Sequence, residues 1–147
     1  MIVLLPKGAQ ETPDPVLDIL KNNRDVAVVG ISPKVFRASH TIAAYLREHG
    51  YQVIGVNPNH TMVLGEKCYA RLQDVPGTVE VVDIFRKAED VPPVVDDAIE
   101  KGAKVIWMQL GIENRAAAEK AVAAGMTVVM DACIMVEHRK RLRELEH

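Results

Sequence analysis

The chain has 147 residues, 48% of them apolar and 26% charged, with a formal net charge of −2. Those figures fit one ordinary globular domain that buries a proper core without staples. They exclude the broad basic field that non-specific nucleic-acid binding needs, but leave room for a local pocket holding one small anion.

Residues 1–12 read as a leader broken by Pro6, Gly8 and the following Pro13, with the domain proper expected over 13–147. The apolar start Met1–Leu5 is too short for a secretory segment and is stopped by Pro6. No apolar run approaches the roughly 20 residues that span a bilayer, so a cytoplasmic protein is expected. A first helix is predicted from Asp14 to Asn22, with Val16, Leu17, Ile19 and Leu20 forming its apolar side. Val26–Val29 then forms a continuous apolar run ending in Gly30, the pattern of a strand covered on both faces.

Helical spacing returns over Ser39–His49, with Ile42, Ala43 and Leu46 on one side and Gly50 as the left-handed stop. Val53–Val56 is the second predicted strand, ended by Asn57-Pro58. Residues Asn59–Pro76 read as irregular, and Val79–Phe85 as a third strand. A helix over Asp90–Lys101 carries Pro92 and Pro93 in its first turn, where a missing N–H costs little. Val105–Met108 is the fourth strand, Asn114–Ala124 an alanine-rich helix, and Thr127–Met130 the fifth strand. A charged helix over Val136–Glu146 closes the chain.

Strands alternating with helices predict an α/β fold: a Rossmann-like, doubly wound, parallel five-stranded sheet with helices on both faces. Its expected order is 3-2-1-4-5, in preference to the flavodoxin-like 2-1-3-4-5. In such sheets ligands bind beyond the carboxyl ends of the strands, where the strand order reverses.

The residues after the first strand suit a phosphate. Gly30-Ile31-Ser32 allows the backbone to pass close to a ligand. Ser32 and Ser39 offer hydroxyls, Lys34 and Arg37 offer charge, and the following helix start offers unpaired N–H groups. The segment has neither the Gly-Lys-Ser/Thr of a P-loop nor a full G-x-G-x-x-G. An acidic ribose clamp is also missing at the end of the second strand, where Val56-Asn57-Pro58 stands instead, so NAD is disfavoured. Asn57 and Pro58 are expected to wall an adenosine. Phe85 is placed to face a base, with Arg86 and Lys87 near a phosphate; a core phenylalanine with solvated cations is the alternative. Trp107 and Met108 alternate in their strand, so one is expected in the core and the other towards the ligand. Gln109 and Gly111 lie where an amide-bearing ligand arm would pass.

Two cysteines, Cys68 and Cys133, make no disulfide framework and are expected as reduced thiols. Cys133 and His138 raise a nucleophile–base pair, against the plainer reading of a structural cysteine and a helix histidine. His40, His49, His60, Cys68 and His147 show no metal-ligand spacing, and no metal is expected. The run Arg139-Lys140-Arg141 is read as a solvated helix face. An exposed apolar helix face would allow a homodimer.

Taken in order, several fragments resemble the CoA-binding domain family, related to the nucleotide-binding half of the succinyl-CoA synthetase alpha subunit. They are Val28-Val29-Gly30-Ile31-Ser32-Pro33, His49-Gly50-Tyr51 leading to Val56-Asn57-Pro58, Gly65-Glu66-Lys67-Cys68-Tyr69, Val81-Val82-Asp83-Ile84-Phe85-Arg86, Lys101-Gly102-Ala103-Lys104, and Cys133-Ile134-Met135-Val136-Glu137-His138. The resemblance spans about Leu17 to His138. It implies a Rossmann-like domain that binds coenzyme A or an acyl-CoA, with pyrophosphate over Gly30–Ser32, adenine near Val56–Pro58 and Phe85, and pantetheine towards Gln109–Gly111. Two positions depart from the family pattern: Asn59 stands where a lysine is common, and Ala132 where an arginine is common. The synthetase's phosphorylated histidine belongs to a second domain outside this pattern, so binding without turnover is expected, as in a carrier, sensor or detached module. An NAD(P)-binding oxidoreductase or redox-sensing domain is the alternative, and an acyl-CoA enzyme using Cys133 or His138 the third reading.

Overall fold

The computed structural model describes residues 1–146; His147 lies outside them. The elements in chain order are β1 (Ile2–Leu4), α1 (Pro15–Asn22), β2 (Asp25–Val29), α2 (Ala38–Glu48), β3 (Gln52–Val56), β4 (Met62–Val63), β5 (Glu66–Tyr69), β6 (Val81–Ile84), α3 (Val91–Lys101), β7 (Val105–Met108), α4 (Arg115–Ala123), β8 (Thr127–Met130), α5 (Ile134–Arg139) and α6 (Leu142–Leu145). Short 3-10 turns cover Leu72–Asp74 and Ala88–Asp90. Among the described residues, no helix is long and apolar enough to cross a membrane.

The strands form one sheet in the order β1-β8-β7-β6-β2-β3-β5-β4. Its central ladder is parallel, with Val28 opposite Gly55 and Asp83, and Asp83 opposite Trp107. The α/β class and Rossmann-like character therefore match the sequence reading, while the strand count and order differ in detail. Taken alone, the five predicted strands lie in the order 2-1-3-4-5. The missed parallel strand β5 accounts for this: counted as the third strand, it restores the Rossmann succession 3-2-1-4-5-6 from β5 to β8.

Three physical details escaped the pattern. Strands β4 and β5 form a hairpin across Leu64-Gly65, both at positive φ (55° and 72°). That backbone suits a mirror-image two-residue turn, which is most legible when Asn or Asp precedes Gly. At the other edge, Ile2–Leu4 pairs antiparallel with β8, so part of the predicted leader completes the sheet. The closing helix is broken into α5 and α6 around Arg141. Arg141 is not on a solvated face: its guanidinium binds both Asp14 oxygens at 2.8 and 3.1 Å, and Glu137 at 3.0 Å. Asp14 also caps α1 by accepting from the Leu17 N–H at 3.2 Å. The Arg141 contact holds its carboxyl below the usual range.

Two apolar layers enclose the sheet. One combines Val82, Ile84, Ile106 and Met108 with α3 and α4 residues, including Val95 and Ala118. The other joins Val26, Val28, Trp107 and Val129 to α1, α2 and α5. Trp107 and Met108 are both fully buried, on opposite faces, so neither reaches a ligand as the alternation had allowed. The Trp107 indole N–H donates to the Ala132 carbonyl at 2.9 Å.

Candidate functional site

The chain reverses across the sheet at β2, which is followed in sequence by β3 on one side and flanked by β6 on the other. The crevice expected at such a switch point is present. It is a cleft of about 420 Å³, lined by Gly30, Ser32, Lys34, Arg37, Ala38, Ser39, Asn57, His60 and Phe85. This volume lies within the range usual for small-molecule sites.

Backbone ties fix the cleft floor. The Gly30 N–H donates to the Val56 carbonyl at 2.8 Å, and the Phe85 N–H donates to the Val29 carbonyl at 2.8 Å. Gly30 is thereby drawn between β3 and the end of β6. A Cβ at position 30 would stand 2.3 Å from the Phe85 carbonyl oxygen, and φ is +92°. Only glycine meets both demands.

The loop to α2 is ordered by its own hydroxyls. Ser39 Oγ accepts from the Ser32 N–H at 3.0 Å, and Ser32 Oγ accepts from the Lys34 N–H at 3.1 Å. The amino end of α2 has no side-chain cap and no acidic residue in its first turn. Its positive end faces the same cleft as Lys34 and Arg37, and among the described residues no carboxylate lines that cleft. A chain of net charge −2 thus concentrates positive charge at this edge. Phe36 stands exposed between the two cations, with Lys34 Nζ 6.0 Å and Arg37 Cζ 5.8 Å from its ring centre.

Asn57 is a buried strut as well as a wall. Its Nδ2 donates to the Ile31 carbonyl at 2.9 Å, and its Oδ1 accepts from the Asn59 N–H at 3.0 Å. This turn carries His60 into the cleft, a residue that sequence reading weighed only as a metal ligand. The Asn-Pro-Asn turn chemistry was the available signal. Ala38 was likewise missed as a lining residue.

The other predicted positions divide by location. Ile31 and Val56 are buried in the core, offering the site their backbone and not their side chains. Pro58 and Arg86 border a separate small hollow of about 120 Å³, with apolar walls from Val29, Val56, Leu72 and Val94 and with Arg71 and Asp97 also lining it. Arg86 Nε also lies 3.4 Å from the position a Gly30 Cβ would take, so its guanidinium group reaches the turn. Lys87 is exposed and lines neither space. Gln109 is buried, and its Oε1 accepts from the Ile134 N–H at 3.2 Å. The Gly111 N–H donates to Asp131 Oδ1 at 2.7 Å. Neither Gln109 nor Gly111 lines the cleft.

The possible thiol chemistry gains no geometric support. Cys133 is partly buried and precedes α5, while His138 is buried and its Nδ1 bonds the Tyr45 hydroxyl at 2.8 Å. Among the described residues no hydrogen bond joins Cys133 to His138. Burial pushes the Cys68 thiol up.

Asp83 is the unexpected charged-type residue. It sits mid-strand in β6, fully buried, and neither carboxyl oxygen has a hydrogen-bond partner among the described residues. Burial alone pushes its carboxyl well above the ordinary carboxylate range.

Sheet order and a switch-point cleft lined by Lys34 and Arg37 define a Rossmann-like α/β domain with a cationic crevice at its carboxyl edge. The chain belongs to the CoA binding domain family, whose pattern matches residues 24–139. It is 36% identical over 123 residues to the uncharacterized protein YneT of Bacillus subtilis, covering 84% of this chain and 91% of that one. It is 33% identical over 119 residues to the ADP-forming acetate–CoA ligase I of Archaeoglobus fulgidus, covering 74% of this chain but only 17% of the ligase. The solved structure of a hypothetical protein from Pyrococcus horikoshii OT3 superposes with a TM-score of 0.85 at 41% identity, covering 91% of this chain and 99% of that one.

Proposed function

We propose that the chain binds coenzyme A, or an acyl-CoA, in the cleft over Gly30, as a binding protein without turnover of its own. The observation carrying this reading is the charge of the cleft. Lys34, Arg37 and the uncapped start of α2 converge there, with no carboxylate among the described lining residues. Pyrophosphate fits that environment through charge-assisted hydrogen bonds. The small hollow beside Pro58, with apolar walls and Arg71 and Asp97 at its margin, supports a seat for the adenine, with Arg86 reaching from it to the Gly30 turn. Exposed Val35 and Phe36 at the rim offer apolar cover for a pantetheine arm. Gln109 and Gly111 offer a second path for the arm, with the Gln109 Oε1 held by the Ile134 N–H of α5.

NAD is the poorer occupant. The buried amide of Asn57 stands where a ribose-clamping acid would be needed, and its Nδ2 and Oδ1 are engaged by backbone partners. Thermal-shift titration with CoA, acetyl-CoA, NAD and NADP separates the readings. A rise in Tm with CoA or acetyl-CoA and none with the dinucleotides is expected. A shift with NAD alone would replace this reading with the redox one.

A further inference from the structure

A second constellation lies at the other end of the sheet. His49 ends α2 just before β3 begins, whereas the cleft over Gly30 is built from residues following the carboxyl ends of the strands. His138 projects from α5, and Glu146 follows α6. One donor atom from each of the three lies within 4.8 Å of the others. They border a hollow of about 220 Å³.

We propose that His49, His138 and Glu146 form a binding site for one divalent transition-metal ion, with zinc the best-fitting ion. Two imidazoles and one carboxylate are a borderline donor set that suits zinc, whereas magnesium and calcium prefer oxygen alone. Three protein ligands leave a fourth tetrahedral position for water.

The surroundings already orient the donors. His138 is 2% exposed, and its Nδ1 is engaged by the Tyr45 hydroxyl at 2.8 Å, which leaves Nε2 as its free donor atom. With Nδ1–H donating to that hydroxyl oxygen, Nε2 is left unprotonated for an ion, in the way a hydrogen bond from the second ring nitrogen orients a ligating histidine. Tyr51 packs edge-on against the same ring at 5.7 Å between centres, its hydroxyl anchored on the Leu20 carbonyl at 2.6 Å. The His49 and His138 rings are 5.0 Å apart. His49 Nδ1 and Glu146 Oε1 meet at 2.7 Å, so an ion would insert into an existing contact.

The three donor atoms, spread over up to 4.8 Å, must draw in to the ~3.3 Å between ligands around a tetrahedral zinc with bonds of ~2.0–2.1 Å. Glu146, with a side chain 52% exposed, has room to swing its carboxylate onto an ion, and His49, 26% exposed, has room to turn its ring towards His138. Lys21 and Arg24 also border the hollow but are exposed, so water screens their charge from the ion. An ion held here would pin the carboxyl-terminal segment to α2. The inference is independent of the CoA reading, because it shares no residue with that cleft.

The test is a titration of the chelator-stripped full chain with Co²⁺, read by visible absorption, followed by displacement with Zn²⁺. Expected are one equivalent of Co²⁺ with the intense absorption of a four-coordinate site and its loss on zinc addition. His49→Gln and Glu146→Gln should each weaken binding by about tenfold or more, and Tyr45→Phe by about 10- to 100-fold as an outer-shell change. His49 and Glu146 are partly exposed, so those two variants remain folded by circular dichroism even if a His138 variant does not. No stoichiometric uptake would overturn the proposal. Uptake unchanged in His49→Gln and Glu146→Gln but lost on blocking Cys68 and Cys133 would also overturn it.

Discussion

The Phe85 carbonyl oxygen lies 2.3 Å from the place a Cβ on Gly30 would occupy, on a backbone already at φ +92°. This contact joins the first βα turn to the end of β6 and sets the cleft floor. Gly30→Ala should therefore lose at least about 2 kcal/mol of stability, from positive-φ strain and a backbone overlap that no side chain can relieve. Gly111 provides the control. Its φ is +83° but nothing lies within 4 Å of its missing Cβ, so Gly111→Ala should cost only about 1 kcal/mol. Urea unfolding of both variants measures the difference, and equal losses would refute the overlap.

Asp83 makes stability depend on pH in the direction opposite to most carboxylates. Its folded-state carboxyl is raised, so the native protein holds a proton that the unfolded chain releases. Stability is therefore lost as pH rises above the ordinary carboxylate range, until the buried acid ionises. Asp83→Asn removes that dependence. The stability of the variant relative to wild type should climb by up to about 1.4 kcal/mol per pH unit across that window. Denaturation curves taken from pH 4.5 upward test it, and parallel pH profiles would contradict it.

Glu80 behaves in the ordinary sense. Its Oε1 accepts from the N–H groups of Arg24 at 2.8 Å and Asp25 at 3.1 Å, holding its carboxyl below the usual value. Its stabilisation is fully present above the ordinary carboxylate range and is lost as pH falls through the lower folded value. Glu80→Ala should cost about 1–3 kcal/mol at pH 7 and much less near pH 2. Chemical denaturation at the two pH values separates these outcomes.

Trp107 is the only tryptophan and is fully buried. Its emission should be blue-shifted in the native protein and move to the red in one step with unfolding. Trp107→Phe leaves the Ala132 carbonyl without its donor and should lower stability by about 1–3 kcal/mol. Thermal melts followed by circular dichroism measure it.

The architecture was legible because buried parallel strands such as Val26–Val29 and Val105–Met108 are continuous apolar runs, and because Gly102 and Asn114 are strong helix punctuation. Strand β5 was not legible. It is four residues long, begins Glu66-Lys67, and is reached through a Leu64-Gly65 turn without the usual Asn or Asp. Its omission shifted the deduced strand order by one place. In the candidate site, residues close in sequence came together: Ser32, Lys34, Arg37 and Ser39 lie within one loop and helix start and line one cleft. Distant pairings did not show. Gln109 reaching Ile134, Arg141 reaching Asp14, and the meeting of His49, His138 and Glu146 are all products of tertiary packing.

The reading of a CoA site over Gly30 is tested most directly by calorimetric titration of CoA into the wild-type chain and an Arg37→Ala variant. One-to-one binding is expected, weakened about ten- to a hundredfold in the variant through loss of a charge-assisted contact. Absence of CoA binding in wild type, or equal affinity in both proteins, would contradict it.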